Sequence, residues 1–570
     1  MRSAATRGRA HPRLIVIGAV ALLLAGIAPT QAAGSLTDQR SMLTAVGTGV
    51  TVTPIIAVDE VAGDDGYRFG SIPDGISLKT RGKGTVEVYV NHETSTVPFP
   101  YTPSAPTETN SQNDFRNAEV SMLALNQHSA GVLTSSRVIS SEEGFQRFCS
   151  NFLAWTEQGF DRAILFTNEE AVDWVNRTGK AWPATIGSAA ARQAGLVVAH
   201  DIKSGQTRPI WGMGRHNHEN TVAIPGYDEL VLLSGDDTFT NSPSQSQLYS
   251  YLADDTDAVW NDEGSLWAFV SDNTSFDEYE DFVPGSATSV SGRFIQVPRL
   301  IATGRKADGT EVMSSDVGFP PPPNDTTWQR DPNGIGIDGP QWVLDYWSKT
   351  NGVFRFVRVE DIAYDKRGGM DNVVYIADSG RGTAGVSQAR RSTNGRIWKM
   401  VLDPNDPRVV TSLSIFVEGD DNPVKTLGEV HQPDNLETTP NSLLITEDPG
   451  SSQQFTQAEA GQTNATTARL WRVPLLGGAP EVVAKVDQSA DEGPTDVDSV
   501  TTKGNLGAWE SSGVVDASAA FGPGAFLVTV QAGTLWVEKA PGDDNVAPPG
   551  PDFTYKRSGG QLVLVRVPGA

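Results

Sequence analysis

The chain has 570 residues, 57 of them glycine and 35 proline, a single cysteine and a formal charge of −25. The acidic excess excludes nucleic acid and anionic membrane surfaces as expected partners, and one thiol, Cys149, excludes an intrachain disulfide. Turn-rich composition in a chain of this length favours a large all-β fold whose rigidity comes from closure, bound metal or both.

At the start, Arg2, Arg7, Arg9 and Arg13 precede the apolar run Leu14–Ile27, and Thr30-Gln31-Ala32 supplies a small-residue cleavage site. The pattern predicts a cleaved signal peptide over residues 1–32 and a protein secreted to the extracellular space or periplasm. The run is short for a bilayer crossing and no second one follows, so no membrane span is expected.

From Thr51 onward, short β-rich runs alternate with Gly, Pro, Asn and Asp. Strands are expected at Thr85–Val90, Ala163–Thr167, Leu196–His200, Glu229–Ser234, Leu248–Leu252 and Leu266–Val270. Further strands are expected at Val373–Ala377, Arg396–Val401, Ser442–Thr446, Arg469–Val473, Ala525–Val530 and Gln561–Val567. Many are solid apolar runs, as strands covered on both faces are.

A weak repeat runs through the C-terminal half. One unit reads Glu360-Asp361-Ile362, then Asn372–Gly380, then Arg396-Ile397-Trp398. A second reads Asp434-Asn435-Leu436, then Asn441–Gly450, then Arg469-Leu470-Trp471, and a fainter third runs from Ser512–Asp516 through Ala525–Gly533 to Leu535-Trp536. Several strands per unit, an inner strand facing a channel and an aromatic between units are the grammar of a β-propeller. The unit spacing of about seventy to ninety residues exceeds a compact blade of roughly 45. Residues 45–570 are therefore expected to form one β-propeller domain of six or seven blades with long loop insertions. Phe319–Pro323 and Ala540–Asp552 read as such loops.

Polar clusters punctuate these runs: Phe166–Glu170, His216–Asn220, Ser234–Asp237, Val359–Asp361, His431–Asn435 and Thr446–Asp448. On strands radiating from one axis they would converge at one opening, where carboxylate oxygens suit Ca2+ and added histidines admit a transition metal. The adjacent acids Glu169 with Glu170, and Glu447 with Asp448, repel each other in a confined site unless a cation intervenes. Because side chains alternate along a strand, one acid of each pair is expected to be the ligand. Arg215 is the expected cationic partner for an anionic substrate.

The segments GRHNHEN, LFTNEEA, LLSGDDTFTNSPSQSQLYSY, VEDIAYD, PDNLETTPNSLLITEDPG and ESSGVVD, with VNHET before them, resemble the PhoX-type alkaline phosphatase superfamily over about residues 50–540. The resemblance implies a propeller with calcium and iron on its axis that hydrolyses phosphate monoesters, a small phosphate ester as the partner, and a monomer. Carried over position by position, it implies metal ligation by Glu93, Glu169, Glu170, Glu219, Glu360, Asp434, Glu447 and Glu510, with Arg215 orienting the phosphate. The enzymes carry an iron-bridging cysteine before the acidic pair, reading Thr-Cys-Glu-Glu. Here that position is Asn168, and Cys149 lies upstream. The substitution at Asn168 favours an alternative, a calcium-stabilised extracellular propeller that binds a partner without phosphatase activity.

Overall fold

The computed structural model describes residues 34–61, 67–82, 84–94, 117–176, 191–238, 244–330, 334–380, 394–419, 428–448, 466–487, 509–538 and 553–570. The expected signal peptide and the Ala540–Asp552 loop lie outside these residues.

The strands expected from apolar runs form. Most keep bounds close to those expected, such as Thr85–His92, Ile164–Glu169, Leu230–Asp236, Val373–Asp378 and Ser442–Glu447. Two are longer, because Ala525–Glu538 and Phe553–Arg566 extend each other as one hairpin.

The strands run as antiparallel meanders. The first comprises Pro73–Gly82, Thr85–His92, Glu119–Asn126 and Val132–Ile139. The second comprises Phe148–Ala154, Ile164–Glu169, Val197–Asp201 and Gln206–Ile210. The third runs His218–Ile224, Leu230–Asp236, Leu248–Ala253, Ser265–Ser271 and Ser289–Gln296, and the fourth Val359–Tyr364, Val373–Asp378, Arg396–Asp403 and Asp406–Glu418. The fifth runs Pro433–Thr438, Ser442–Glu447, Arg469–Pro474 and Glu481–Val486, and takes Leu43–Ala45 on its outer edge. The sixth, Glu510–Asp516 with the long hairpin, is completed by Thr51–Ala57, so the N-terminal strand closes the C-terminal sheet.

The result is an all-β, propeller-like arrangement, but its hydrogen bonding does not give six or seven separate blades. Four four- or five-stranded sheets stand alone, whereas the third and fourth meanders form one nine-stranded sheet. The weld is Ser289–Gln296, which pairs with Ser265–Ser271 on one side and with Asp406–Glu418 on the other. A two-stranded ribbon, Trp174–Asn176 with Ala191–Gln193, is separate.

The second strand of each meander shows why the apolar runs are solid. Adjacent residues on a strand face opposite ways, and both faces are buried here. Val88 faces the core shared with the sixth meander, while Tyr89 faces the core shared with the second. Leu165 and Phe166, Leu232 and Leu233, Tyr375 and Ile376, Leu443 and Leu444, and Leu527 and Val528 divide in the same way between successive cores. Among the described residues, six of the hydrophobic cores thus alternate with the six meanders, and the last returns to the first.

Candidate metal centre

The innermost strand of each meander packs against the innermost strands of its two neighbours, closing a ring around the axis. Gly75 and Gly513 mark how close this ring is: a Cβ on Gly75 would lie 2.5 Å from the Ser150 and Asn151 backbone, and one on Gly513 would lie 2.5 Å from the Asp74 carbonyl oxygen.

Every inner strand carries a β-bulge at the same place, after its first residues, where two residues oppose one. Bulges re-aim side chains and are over-represented beside active sites. The first bulged residues are Asp74, Cys149, Glu219, Glu360, Asp434 and Ser512. The second ones include Asn220, Asp361 and Asn435, which line a separate cavity of about 230 Å³ between the inner strands.

A second layer follows the end of each second strand. Backbone N–H groups of Glu93, Glu170, Asp237, Ser379 and Asp448 donate to the carbonyls of Ile72, Arg147, Asn217, Arg358 and Gln432 at 2.8–3.0 Å. Gln531, paired with Glu510, holds the matching place in the sixth meander. Ile72, Arg147 and Gln432 adopt left-handed backbone conformations with φ of 50°, 41° and 50°. Such residues cost about 1–3 kcal/mol each and cluster at functional sites.

These layers bring together three ligand groups that overlap: Asp74, Glu93 and Cys149; Cys149, Glu170 and Glu219; Glu219, Asp237 and Glu360. Within each group one donor atom per residue lies within 4.8 Å of the others. The Cys149 thiol donates to Asp74 Oδ2 at 2.7 Å, and Ser150 Oγ donates to Glu219 Oε1 at 2.8 Å. Arg358 holds Asp237 with two hydrogen bonds of 2.8 Å and reaches Glu360 Oε1 at 2.9 Å and Asp448 at 3.4 Å.

The carboxylates far outnumber the cations. Burial, reinforced by neighbouring carboxylates, pushes Glu170, Glu219, Glu360, Asp434 and Glu510 well above the usual carboxyl range. Glu93 is pushed up to about 8, by burial first and Asp74 second, and Asp74 itself to about 6 by burial. Burial followed by the Asp74 charge also pushes the Cys149 thiol up. Buried charges of one sign are tolerated only when protonated or neutralised by a cation. The donor chemistry fits cations: the all-oxygen group suits a hard ion such as Ca2+, and the two thiol-containing groups suit a transition ion.

Of the expected ligands, Glu93, Glu170, Glu219, Glu360, Asp434 and Glu510 converge here. Glu169 and Glu447 do not, and their expected ligand role is corrected. Glu169 is held by Arg192 at 2.5 and 2.8 Å and accepts the Gln146 and Leu196 backbone N–H groups. Glu447 accepts from Arg469 at 2.9 and 3.0 Å, from the Trp471 indole at 2.8 Å and from the His431 N–H. In each pair the second acid, Glu170 or Asp448, turns to the axis, because the two follow each other at a strand end.

Arg215 is also misplaced by the sequence reading. It is fully buried, and its guanidinium is paired with Glu311 at 2.7 Å and the Gln193 carbonyl rather than with the axial acids. Arg358, in contrast, places its guanidinium against the axial acids Asp237 and Glu360. His216 and His218 are in tilted ring contact, and burial pushes the pKa of both down.

Sequence reasoning also missed Asp74, although a signal was available. Ile72-Pro73-Asp74-Gly75 matches Gln432-Pro433-Asp434-Asn435, and the two segments share the bulge and the positive φ. Asn168, the residue before the acidic pair, donates its amide to the Ser150 carbonyl. Cys149 reaches the axis from the neighbouring strand.

No protein-family model and no curated protein matches the sequence. Solved structures similar to it include a protein of unknown function from Dyadobacter fermentans, at 9% identity over 91% of this chain and 100% of that chain, TM-score 0.39. An α-L-arabinofuranosidase from Fusarium graminearum is 8% identical over 90% of this chain and 97% of its own, TM-score 0.35. The NanB sialidase from Streptococcus pneumoniae is 8% identical over 84% of this chain and 67% of its own, TM-score 0.35. At these scores the likeness bears on neither activity nor substrate.

Proposed function

We propose that the chain is a secreted, metal-dependent phosphomonoesterase built on a six-bladed propeller, with calcium and iron on its axis. The observation that carries this reading is the chain of three ligand groups, linked through Cys149 and Glu219. The nine-stranded sheet is read as two blades joined at their outer edges, since all six inner strands share one bulge and one ring.

On this reading Asp74, Glu93, Cys149, Glu170 and Glu219 would hold transition ions. Glu219, Asp237 and Glu360 would hold calcium, and Asp434, Asp448 and Glu510 would complete the acidic wall. Bound metal supplies the positive charge that phosphoryl transfer needs at the transferring oxygens. Arg358 takes the role expected of Arg215. Its planar donors match phosphoryl oxygens. The Cys149 thiol would have to give up its proton to ligate a cation. No helix among the described residues is long and apolar enough to cross a membrane.

The test is hydrolysis of a chromogenic phosphate monoester at alkaline pH, before and after chelation, with calcium and iron added back. Turnover that is lost on chelation and restored by the metals supports the reading. A folded protein inactive in every metal state contradicts it.

A second reading rests on a different observation. Arg358 is engaged bidentately by Asp237, and Glu219, Asp237 and Glu360 form an all-oxygen group. That arrangement supports a calcium-stabilised extracellular binding module. Melting that rises with Ca2+ while no ester turns over favours it.

A further inference from the structure

Six residues stand two positions before the first bulged residue of their strands: Ile72, Arg147, Asn217, Arg358, Gln432 and Glu510. Arg358 reaches Asp237, Glu360 and Asp448 in the acidic basin. Arg147 is ion-paired with Asp173, with the charges of Glu93 and Glu170 nearby. The Asn217 amide donates to the Asp237 backbone carbonyl, and Glu510 lies close to the Asp448 and Asp434 charges.

Gln432 is the exception that asks for an explanation. It lies between Arg358 and Glu510 in ring order and is 2% exposed, yet neither side-chain amide atom has a hydrogen-bond partner among the described residues. Its backbone is held in place on both sides, by its own N–H to the Asn394 carbonyl and by the Asp448 N–H to its carbonyl. Its φ of 50° is one that side chains rarely adopt. A buried amide with both atoms unpaired is rare in folded proteins. The Gln432 backbone is fixed beside Asp448, which Arg358 also reaches, so the amide is set up for a partner that arrives from outside.

We propose that Gln432 is a substrate-binding residue whose amide N–H donates to a nonbridging oxygen of a tetrahedral oxyanion, inorganic phosphate or a phosphate monoester, held beside Arg358. The inference rests on the phosphomonoesterase reading. It adds a neutral donor next to the guanidinium, so that two adjacent ring positions grip one anion. A donor without charge contributes orientation without competing with the carboxylates for metal.

The experiment uses the mature chain loaded with calcium and iron, as wild type, Gln432→Met and Gln432→Glu. Inorganic phosphate binding is measured by calorimetry, alongside ester kinetics, metal content and thermal melting. A hydrogen bond to an anion corresponds to roughly a tenfold change in affinity. The expected result for Gln432→Met is phosphate affinity weakened about tenfold and KM raised by a similar factor, with metal content and melting unchanged. Gln432→Glu, isosteric but charged, weakens phosphate further at the same metal content. Unchanged phosphate affinity in both variants overturns the inference and leaves the phosphatase reading standing. Loss of metal in Gln432→Met also overturns it, by making the amide a metal ligand. Wild-type protein that binds no phosphate in any metal state removes the phosphatase reading and this inference together.

Discussion

Glu169 and Glu170 are neighbours in sequence and both are buried, but they meet opposite electrostatic surroundings. Glu169 receives a forked guanidinium and two backbone N–H groups, and Glu447 in the fifth meander receives the same treatment from Arg469, Trp471 and backbone. Glu170, with Glu219, Glu360 and Asp434 around it, lies in a basin where acids outnumber guanidiniums. One layer is electrically complete and joins strands. The layer one residue further in is incomplete, and a proton or a cation must finish it. A shift of one residue along the chain separates a structural acid from a candidate ligand.

Substituting the two layers separately should break this comparison most strongly. Glu447→Gln or Glu169→Gln leaves Arg469 or Arg192 buried without its counter-charge, a loss of about 3–5 kcal/mol. Chemical denaturation should show that loss with or without chelator, and metal per folded chain should stay at the wild-type level. Glu219→Gln is the converse. It should reduce bound metal and remove most of the melting gain from Ca2+, worth about 2.7 kcal/mol at a hundredfold excess over Kd. The chelated variant should melt at or above chelated wild type, since it buries one carboxylate fewer.

The pH response sharpens the contrast. Acids whose pKa is raised on folding stabilise the folded state below their ordinary range, and that contribution is lost as pH rises through the folded value. Asp74 rises from 3.8 to about 6 and Glu93 from 4.5 to about 8. The chelated protein should therefore lose melting temperature steadily from about pH 4 to 8, and saturating Ca2+ should flatten the slope. A chelated protein that gains stability over that window would place these acids outside the basin. The smallest effect is expected from Arg215→Met with Glu311→Met. Replacing both members of this buried pair should change stability by no more than a few kcal/mol and leave KM unchanged.

The sequence makes the meanders legible because each second strand feeds two cores, which turns an alternating pattern into runs such as Val373–Ala377. The Arg-x-Trp repeat is equally visible. Trp398 and Trp471 pack in the cores between meanders as the reading expects, but that Arg469 and Trp471 also donate to Glu447 is not legible. Acid pairs announce that something polar happens at a strand end without saying which acid meets a guanidinium from another strand. Arg215 and Arg358 illustrate the same limit. Arg358 stands two residues before Glu360 and shares its face, while Arg215 stands four before Glu219 and turns back to Glu311. The Ser289–Gln296 weld depends on a strand pairing more than one hundred residues distant, which local pattern does not encode.

Elemental analysis of the purified mature protein, compared with Cys149→Ser and Glu219→Gln, tests the central claim most directly. Three linked ligand groups predict several cations per wild-type chain, iron falling in Cys149→Ser with calcium retained, and both falling in Glu219→Gln. A well-folded wild-type chain that carries no stoichiometric metal after incubation with calcium and iron would contradict it.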